Sequence, residues 1–404
     1  MRGYIAPIIK TMERLRIGVI GTGSVVREIY QYLYFKSDYT PLIDVRAACD
    51  PNTDALEWFC KTYGVDRRYE SYRSMIEHED LDVVAINTPD SLHREPVIFA
   101  LERGLDILLP KPTAENVKDV HAIIETLQTT GGFLGVDFHK REDPVVKEAR
   151  ARFQNGEYGR LQASVWYMLD RLLVADPNHS PRFFSSADFA EKNSPVSFLT
   201  SHMADTFITI TSQKPVRVRA IGYKQKLPSL VPLSVDGFDL VDTEVVSEDG
   251  SVSHILTGWA VPNTAQSMTV QSGRLICSEG LIDLWSEHYG YREITSAGIE
   301  ARNVLFRNFK SDGSVSGYGM SCPGHILAAI RRFRSGDMDN AEVGENLSPL
   351  NLGFYTTLVC ECAHASLSQG TEIASGVISG TEIDAVSYLN KQIGAQAAQI
   401  YYAL

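Results

Sequence analysis

The sequence lacks long apolar runs, clustered basic residues and low-complexity segments. No apolar run is long enough to span a membrane, and the first residues, which include Arg2, Lys10 and Arg14, contain no signal-peptide core. The net charge is −12, and no basic patch or aromatic–basic alternation is present, which argues against nucleic-acid binding as the main role. We therefore expect a cytoplasmic protein that binds neither nucleic acid nor membrane.

Cysteine is scarce and carries no metal-type spacing. The six cysteines are Cys49, Cys60, Cys277, Cys322, Cys360 and Cys362. Most of them lie in apolar runs and none forms a matched pair, so we predict reduced, buried thiols and no metal site. The remaining composition is that of a globular protein, with 404 residues, 44% hydrophobic and 22% charged, which is enough chain for two domains.

A glycine turn follows the first apolar run. Residues 16–30 read RIGVIGTGSVVREIY, which predicts a strand, a tight turn and the start of a helix. Gly21 permits the turn, and Gly23 lets the backbone approach a pyrophosphate at the helix N-terminus. The candidate cofactor-binding residues in this turn are Gly21, Thr22, Gly23, Ser24 and Val25. Val26 occupies the third small position of the dinucleotide fingerprint, so an ordinary strand–turn–helix unit remains the alternative.

An acidic residue follows the second apolar run. Asp50 comes directly after residues 45–49, and Pro51 ends that run, so we expect Asp50 at the end of the second strand. A carboxylate there binds ribose hydroxyls and disfavours a 2′-phosphate, which favours NAD over NADP. The alternative interpretation makes Asp50 a loop residue or a helix cap.

Strands and helices alternate as far as residue 138. Further strands are predicted at 82–87, 106–109 and 133–138, and helices at 55–63, 72–78, 93–103 and 113–128, the last with Thr113 as its N-cap. This alternation implies a parallel sheet with helices on both faces, and ligands bind outside the carboxyl ends of such strands. The polar residues expected at those ends are Thr22, Asp50, Asn87, Thr88, Lys111, Asp137 and His139.

After Lys140 the pattern changes to consecutive strands. Strands are predicted at 161–168, 216–223, 241–246, 252–261, 266–276 and 281–286, and helices at 144–153, 197–211, 323–334 and 349–368. Because few helices separate these strands, they predict an open, mainly antiparallel sheet. The predicted fold is α/β, with a Rossmann-type doubly wound parallel sheet followed by an α+β domain.

Three ranges describe the predicted domains. A dinucleotide-binding Rossmann domain covers 1–140, with residues 1–14 as an N-terminal extension. A substrate-binding α+β domain covers 141–370, and a small ligand is expected in the cleft between the two. The tail at 371–404 is apolar and alanine-rich, which predicts docking on the core or on a neighbouring chain.

Taken together, the motifs resemble the glucose–fructose oxidoreductase / inositol dehydrogenase / MocA (Gfo/Idh/MocA) family. They occur in order as Gly21-Thr22-Gly23, Asp50-Pro51, Thr88-Pro89-Asp90-Ser91-Leu92-His93, Lys111-Pro112, Val136-Asp137-Phe138-His139-Lys140-Arg141 and His202-Met203-Ala204-Asp205. The resemblance implies an NAD(P)-dependent oxidoreductase acting on sugars, cyclitols and related polyols, assembled as a homo-oligomer (dimer or tetramer). It also implies cofactor contacts from Asn87, Thr88, Pro89, His93 and Lys111.

The resemblance further implies that Lys111 and His202 reach the reacting carbinol. A histidine titrates near neutral pH and can take the hydroxyl proton, and an ammonium group can stabilise the developing alkoxide. Outside this motif, Lys111 would be a surface lysine and His202 a packed or solvated histidine. Both alternatives remain open from the sequence.

The candidate substrate-binding residues are Asp205, His139, Asp137 and Arg141. Asp205 comes three positions after His202, hence on the same helix face, where it would orient the imidazole or bind a substrate hydroxyl. His139 has a second interpretation as a strand cap, and Arg141 as a salt-bridge residue. No metal ligands are predicted.

Three positions depart from the family pattern. Pro110 replaces the usual Glu before Lys-Pro, Phe198 replaces the Asp four residues before His202, and Val26 replaces a small residue. Thr200, Ser201 and His139 are the candidates to replace the missing Asp.

The leading hypothesis is an NAD-dependent oxidoreductase that transfers a hydride between the nicotinamide and a secondary carbinol or ketone of a sugar, glycoside or cyclitol. One alternative is an enzyme with tightly bound NAD that uses transient oxidation for elimination, epimerisation or glycoside cleavage. The other is a catalytically silent sensor of NAD or sugar.

Overall fold

The computed structural model describes residues 14–184, 186–265, 267–285, 291–295, 298–302 and 308–402. Of the predicted N-terminal extension, residues 1–13 lie outside this range, as do Gln266 and Ser286 at the ends of two predicted strands.

The chain forms two compact units, and each gathers three segments. The first unit holds residues up to 110, 126–137 and 307–344, and the second holds 111–125, 138–306 and 345 onward. The predicted ranges 1–140, 141–370 and 371–404 are continuous segments by comparison, and they stay predictions.

The first unit is built on a six-stranded parallel sheet. Its strands are β1 (Leu15–Ile20), β2 (Ile43–Cys49), β3 (Arg67–Tyr69), β4 (Val83–Ile86), β5 (Asp106–Pro110) and β6 (Leu134–Asp137). The strand order is β3-β2-β1-β4-β5-β6, which is typical of dinucleotide-binding folds. All four residues of β4 are buried because helices cover both faces of the sheet. The predicted Rossmann-type sheet is therefore confirmed.

Helices connect these parallel strands. They are a π-helical turn at Val26–Tyr30, α1 (Gln31–Lys36), α2 (Thr53–Tyr63), α3 (Tyr72–His78), α4 (Arg94–Leu101) and α5 (Val117–Thr130). The predicted start of α5 was wrong by one turn. Asn116 caps the helix by accepting the Asp119 N–H at 2.9 Å, whereas the Thr113 hydroxyl donates to the Leu352 carbonyl.

The chain continues beyond β6 through a longer series of helices and strands. In chain order they are α6 (Pro144–Gln154), β7 (Leu161–Arg171), α7 (Phe189–Lys192), α8 (Ser201–Thr211), β8 (Pro215–Tyr223), β9 (Leu240–Ser247), β10 (Val252–Val261), β11 (Thr269–Cys277), β12 (Leu281–Leu284), β13 (Tyr291–Thr295), β14 (Gly298–Arg302), β15 (Asn308–Phe309), β16 (Val315–Ser316), α9 (Ser321–Arg334), α10 (Asn340–Asn346), α11 (Phe354–Ser368), β17 (Thr371–Ala374), β18 (Val377–Ser379), β19 (Ile383–Asp384), α12 (Ala385–Ile393) and α13 (Ala395–Tyr402). Short 3-10 or π turns lie at Thr40–Leu42, Asp90–Leu92, His139–Glu142, Leu172–Val174, Val196–Thr200 and Leu227–Ser229.

A nine-stranded sheet forms the centre of the second unit. Its order is β12-β11-β7-β10-β9-β8-β18-β17, with β19 also on β8, and only the β7–β10 pair is parallel. This confirms the predicted, mainly antiparallel sheet. Along β7 the alternate residues Ser164, Trp166, Met168 and Asp170 are buried on one face. Helix α8 covers that face, where Trp166 packs on Phe207 with ring centroids 6.3 Å apart.

The C-terminal tail packs on its own unit. Strand β19 pairs with β8, and Tyr401 of α13 stacks on Phe354 with ring centroids 3.7 Å apart. The Tyr401 hydroxyl lies 2.7 Å from Nδ1 of His121. Part of the apolar tail thus has a partner within this chain, whereas Ile373 and Ile400 stay exposed. The homo-oligomer remains a prediction.

Two predictions from composition concern the state of the cysteines and the presence of membrane-spanning helices. All six cysteines are free thiols, and five of them are buried. Within the described ranges, no helix combines the length and apolar character needed to cross a membrane.

Candidate functional site

The glycine turn closes tightly against the end of β4. Gly21 adopts φ +83°, and a Cβ at this position would lie 2.7 Å from the Asn87 carbonyl oxygen, so only glycine fits. A Cβ on Gly23 would meet nothing within 4 Å, which leaves open space above the backbone. Beyond it, Ser24 is exposed and Val25 is half-buried at the start of the helical segment. The N–H groups of Gly21 and Thr22 are already bound, to the Cys49 carbonyl and to Asp50. An anion would therefore meet the N–H groups that follow, at the start of the helical segment.

Asp50 lies beside this turn at the end of β2. Its Oδ2 accepts the Thr22 N–H at 2.7 Å and the Thr22 hydroxyl at 3.1 Å, and its Oδ1 accepts the Asn52 N–H at 2.8 Å. A carboxylate offers about four acceptor positions, so about one remains for a ligand hydroxyl. The structure thus brings Thr22 and Asp50 into contact, and the remaining acceptor position on Asp50 fits a ribose hydroxyl of a dinucleotide.

The end of β4 supplies the next group of candidates. His93 is fully buried, and its Nε2 lies 3.0 Å from the Thr88 carbonyl, so its ring holds the turn that follows β4. Asn87 is buried beside Gly21, and Pro89 precedes the short turn at Asp90–Leu92. These residues lie with Gly21 and Asp50 at the carboxyl edge of the first sheet.

Asp137 ends β6 in the first unit. It accepts a hydrogen bond from the Tyr30 hydroxyl at 2.7 Å. Burial, reinforced by this carboxylate, raises the pKa of Tyr30 well above its usual range. The observed contact therefore ties Asp137 to the first helical segment, and its predicted substrate role remains a prediction.

In the second unit, Lys111 reaches the start of α8. Its Nζ donates to the Phe198 carbonyl at 3.0 Å and lies 3.1 Å from the Ser201 hydroxyl. Ser201, one of the three candidate replacements for the missing acid, therefore contacts Lys111. The Phe198 ring, which stands at the acid's position, packs on Trp259 and Phe189 with centroids 5.7 and 5.5 Å away.

His202 follows Ser201 on α8, and its ring lies beside that of His139. The two ring centroids are 5.4 Å apart. Burial of the imidazole holds the pKa of His202 well below its usual range, and the nearby charges of Lys111, His139 and Lys140 act in the same direction. This shift favours the neutral imidazole, whose free ring nitrogen is a proton acceptor, and it also makes His202 a weaker base than an exposed histidine. The structure therefore gathers Lys111, His139 and His202 in one unit.

Asp205 and Arg141 bind each other. The Arg141 Nε and Nη2 donate to the two carboxylate oxygens at 3.0 and 2.5 Å, and Thr356 adds a hydroxyl at 3.3 Å. Arg141 also donates to the carbonyls of Leu350 and Asn351. In the part of the chain that the structure describes, no hydrogen bond joins Asp205 to the His202 ring. The contacts favour a role in positioning α8, while substrate binding by this pair remains a prediction.

Two buried groups were not among the predicted site residues. Lys140 donates to Gln271 Oε1 at 2.5 Å, and Asp170 accepts the Thr269 hydroxyl at 2.5 Å. The signal for Asp170 was present in the sequence, since it continues the buried alternation of Trp166 and Met168 along β7. Lys140 carried no such signal, because its burial depends on residues from a distant strand.

The six-stranded parallel sheet, with a glycine turn at its carboxyl edge, places the first unit in the class of dinucleotide-binding Rossmann domains. Residues 15–138 match GFO_IDH_MocA, the oxidoreductase family with an NAD-binding Rossmann fold. The family resemblance seen in the motifs is thus confirmed over this range, which is less than half of the chain.

Two of the similar curated proteins are a glucoside dehydrogenase and an inositol dehydrogenase. The D-glucoside 3-dehydrogenase of Escherichia coli is 26% identical over 161 residues, which is 40% of this chain and 45% of that protein. The NAD(+)-dependent scyllo-inositol 2-dehydrogenase of Bacillus subtilis is 28% identical over 150 residues, 37% of this chain and 42% of that protein. The match thus spans less than half the length of either relative.

Solved structures extend the likeness in fold. The scyllo-inositol dehydrogenase of Lactobacillus casei, solved with bound NAD(H) and scyllo-inositol, superposes with a TM-score of 0.67 at 17% identity, covering 91% of this chain and 99% of that one. At this identity the comparison shows a shared fold.

Proposed function

We propose that this protein is an NAD-dependent oxidoreductase acting on a secondary carbinol, or the corresponding ketone, of a sugar, glycoside or cyclitol. When bound, the nicotinamide accepts the hydride in oxidation and donates it in reduction. The names of the curated relatives support this reaction class. NAD is proposed over NADP because the carboxylate of Asp50 disfavours a 2′-phosphate.

The first unit would hold the cofactor. Gly21 and Gly23 present the backbone to the pyrophosphate, and Asp50 accepts from a ribose hydroxyl. The open space above Gly23 and the remaining acceptor position on Asp50 support this assignment.

Lys111 and His202 would manage the substrate proton. One observation carries this proposal: Lys111 Nζ is fixed on Phe198 O and Ser201 Oγ, directly before His202 on α8. A neutral His202 accepts the hydroxyl proton in oxidation and returns it in reduction. The ammonium of Lys111 stabilises the negative charge that develops on the carbinol oxygen.

The test is a screen for NAD+ reduction over sugars, glycosides, uronates and cyclitols under multiple turnover. We expect NADH to accumulate in proportion to substrate consumed, with NAD+ preferred over NADP+. Conversion of a substrate without net NADH release would instead establish the alternative that recycles bound NAD. Binding of NAD without conversion of any compound would support the silent sensor.

A further inference from the structure

A π-helical turn at Val196–Thr200 leads directly into α8. This turn meets both of the residues that are proposed to handle the substrate proton. Its Phe198 carbonyl accepts from Lys111 Nζ at 3.0 Å, and His202 follows the turn on α8 after one intervening residue. Single π turns within helices are frequent at functional sites. The position of this turn therefore sets where the Lys111 ammonium and the His202 ring lie.

Two neighbouring elements of the second unit hold this turn. From the sheet, the Thr257 hydroxyl of β10 lies 2.7 Å from the Thr200 hydroxyl at the end of the turn. From α11, the Cys360 thiol donates to the first carbonyl of the turn at 3.6 Å. His364 comes four residues after Cys360, hence on the same face of α11, and reaches the serine hydroxyls at the start of the turn.

His364 binds the turn through two serine hydroxyls. Its Nε2 lies 2.9 Å from Ser197 Oγ and 3.3 Å from Ser194 Oγ. The N–H groups of Val196 and Ser197 donate to Ser194 Oγ at 3.1 and 3.4 Å, which takes both of its lone pairs. Ser194 therefore offers its proton to His364, so Nε2 is the acceptor and the ring proton is on Nδ1. Burial lowers the pKa of His364, which favours this neutral form.

The replacement at Phe198 makes the backbone of this turn important. A carboxylate at this position would bind an ammonium through a side chain, which adjusts by rotation. Phe198 has only its backbone carbonyl as an acceptor, and the Lys111 ammonium is bound to it. A shift of the turn therefore moves the ammonium with it. Proton transfer tolerates little displacement, since a misplacement of about 1 Å can lower a rate about 100-fold.

We propose that His364 is a positioning residue of this site, which accepts hydrogen bonds from Ser194 and Ser197 and thereby fixes the turn that places Lys111 and His202. This inference rests on the proposed oxidoreductase function. His364 acts through the turn and has no role in proton transfer itself. Without the imidazole, the two hydroxyl groups lose their shared acceptor, and the turn is held by β10 and the Cys360 thiol alone.

Two measurements on His364→Leu and His364→Gln test the inference. The first is steady-state oxidation of the alcohol that the substrate screen identifies. We expect His364→Leu to lower kcat about 10- to 100-fold with the Kd of NADH unchanged, because the first unit would hold the cofactor. His364→Gln keeps a side-chain acceptor and should recover much of the loss.

The second measurement needs no substrate. It is an NMR titration of the His202 ring, whose signals are assigned with His202→Gln. Burial and the charge of Lys111 lower the pKa of His202, so a displaced turn should raise that pKa towards its usual value in His364→Leu, and His364→Gln should restore it. The matched control is His121→Leu. His121 is also half-buried and lies 2.7 Å from a hydroxyl group, that of Tyr401, and its replacement should change neither measurement.

The outcomes separate this inference from the proposed function. An unchanged pKa of His202 in folded His364→Leu overturns the inference, as does an unchanged kcat or an equal effect of His121→Leu. If His364→Leu does not fold, Ser197→Ala removes the nearer hydroxyl without altering α11, and the same criteria apply to it. If no alcohol reduces NAD+, the proposed reaction fails, but a His202 pKa that rises in His364→Leu and returns in His364→Gln still supports the positioning role.

Discussion

Replacing Arg141 with methionine would leave the Asp205 carboxylate buried without its cation. Asp205 has a side-chain exposure of 2%, and Arg141 provides two of its three side-chain hydrogen bonds. Breaking a buried ion pair from one side costs about 3–5 kcal/mol, because the remaining charge stays desolvated. Arg141 also donates to the carbonyls of Leu350 and Asn351, whose loss acts in the same direction. We therefore expect Arg141→Met to lower the free energy of unfolding by at least about 3 kcal/mol.

A second substitution tests the cause. In the Arg141→Met background, Asp205→Asn removes the buried charge and should recover part of the loss, giving a coupling energy of about 1–3 kcal/mol between the two sites. The matched control is Arg150→Met. Arg150 pairs with Glu345 at 3.6 Å, and the two side chains are 34% and 67% exposed. A surface pair of this kind contributes about 0–1 kcal/mol.

Urea unfolding followed by tryptophan fluorescence measures these differences, because the second unit buries Trp166 and Trp259. Burial raises the pKa of Asp205, opposed by Arg141, so removing the arginine raises that pKa further. The loss in the single variant should therefore shrink as the pH falls and the carboxyl group is protonated. An Arg141→Met protein within about 1 kcal/mol of the unmodified chain, or additive effects at the two positions, would refute the reasoning.

Three further predictions concern the cofactor and the proton. Lys111→Ala should lower kcat by about 100-fold or more while the protein stays folded. The exposed Lys118→Ala is its control, and near-normal turnover of Lys111→Ala would remove Lys111 from the mechanism. Asp50→Ala should weaken NAD+ binding and reduce the preference for NAD+ over NADP+ in fluorescence titrations. An unchanged cofactor preference would contradict the assignment of Asp50 to the ribose. Gly21→Ala should unfold at lower urea concentration and bind NADH less tightly, because its Cβ would lie 2.7 Å from the Asn87 oxygen. Unchanged NADH binding would show that this turn does not hold the cofactor.

Local patterns predicted much of the fold. Apolar runs ending in polar residues identified five of the six parallel strands, because strands buried on both faces must be apolar and ligands meet their carboxyl ends. They missed the edge strand β3 (Arg67–Tyr69), which has no buried residue. The one-turn error at α5 shows where this reasoning fails. Thr113 has the chemistry of an N-cap, but its hydroxyl binds the Leu352 carbonyl, which is distant in sequence. Single-sequence patterns contain no information on such partners.

The candidate site divides in the same way. The sequence by itself determined the glycine turn and the alternation of strands and helices that carries it, since both follow from residue types close together in the chain. It also indicated Lys111 and His202 through their motifs. Only the tertiary structure decided that Arg141 binds Asp205, that Ser201 contacts Lys111, and that Lys140 is buried near Asp170. Charge, burial and pKa depend on atoms brought together from distant segments, and a linear sequence does not specify those distances.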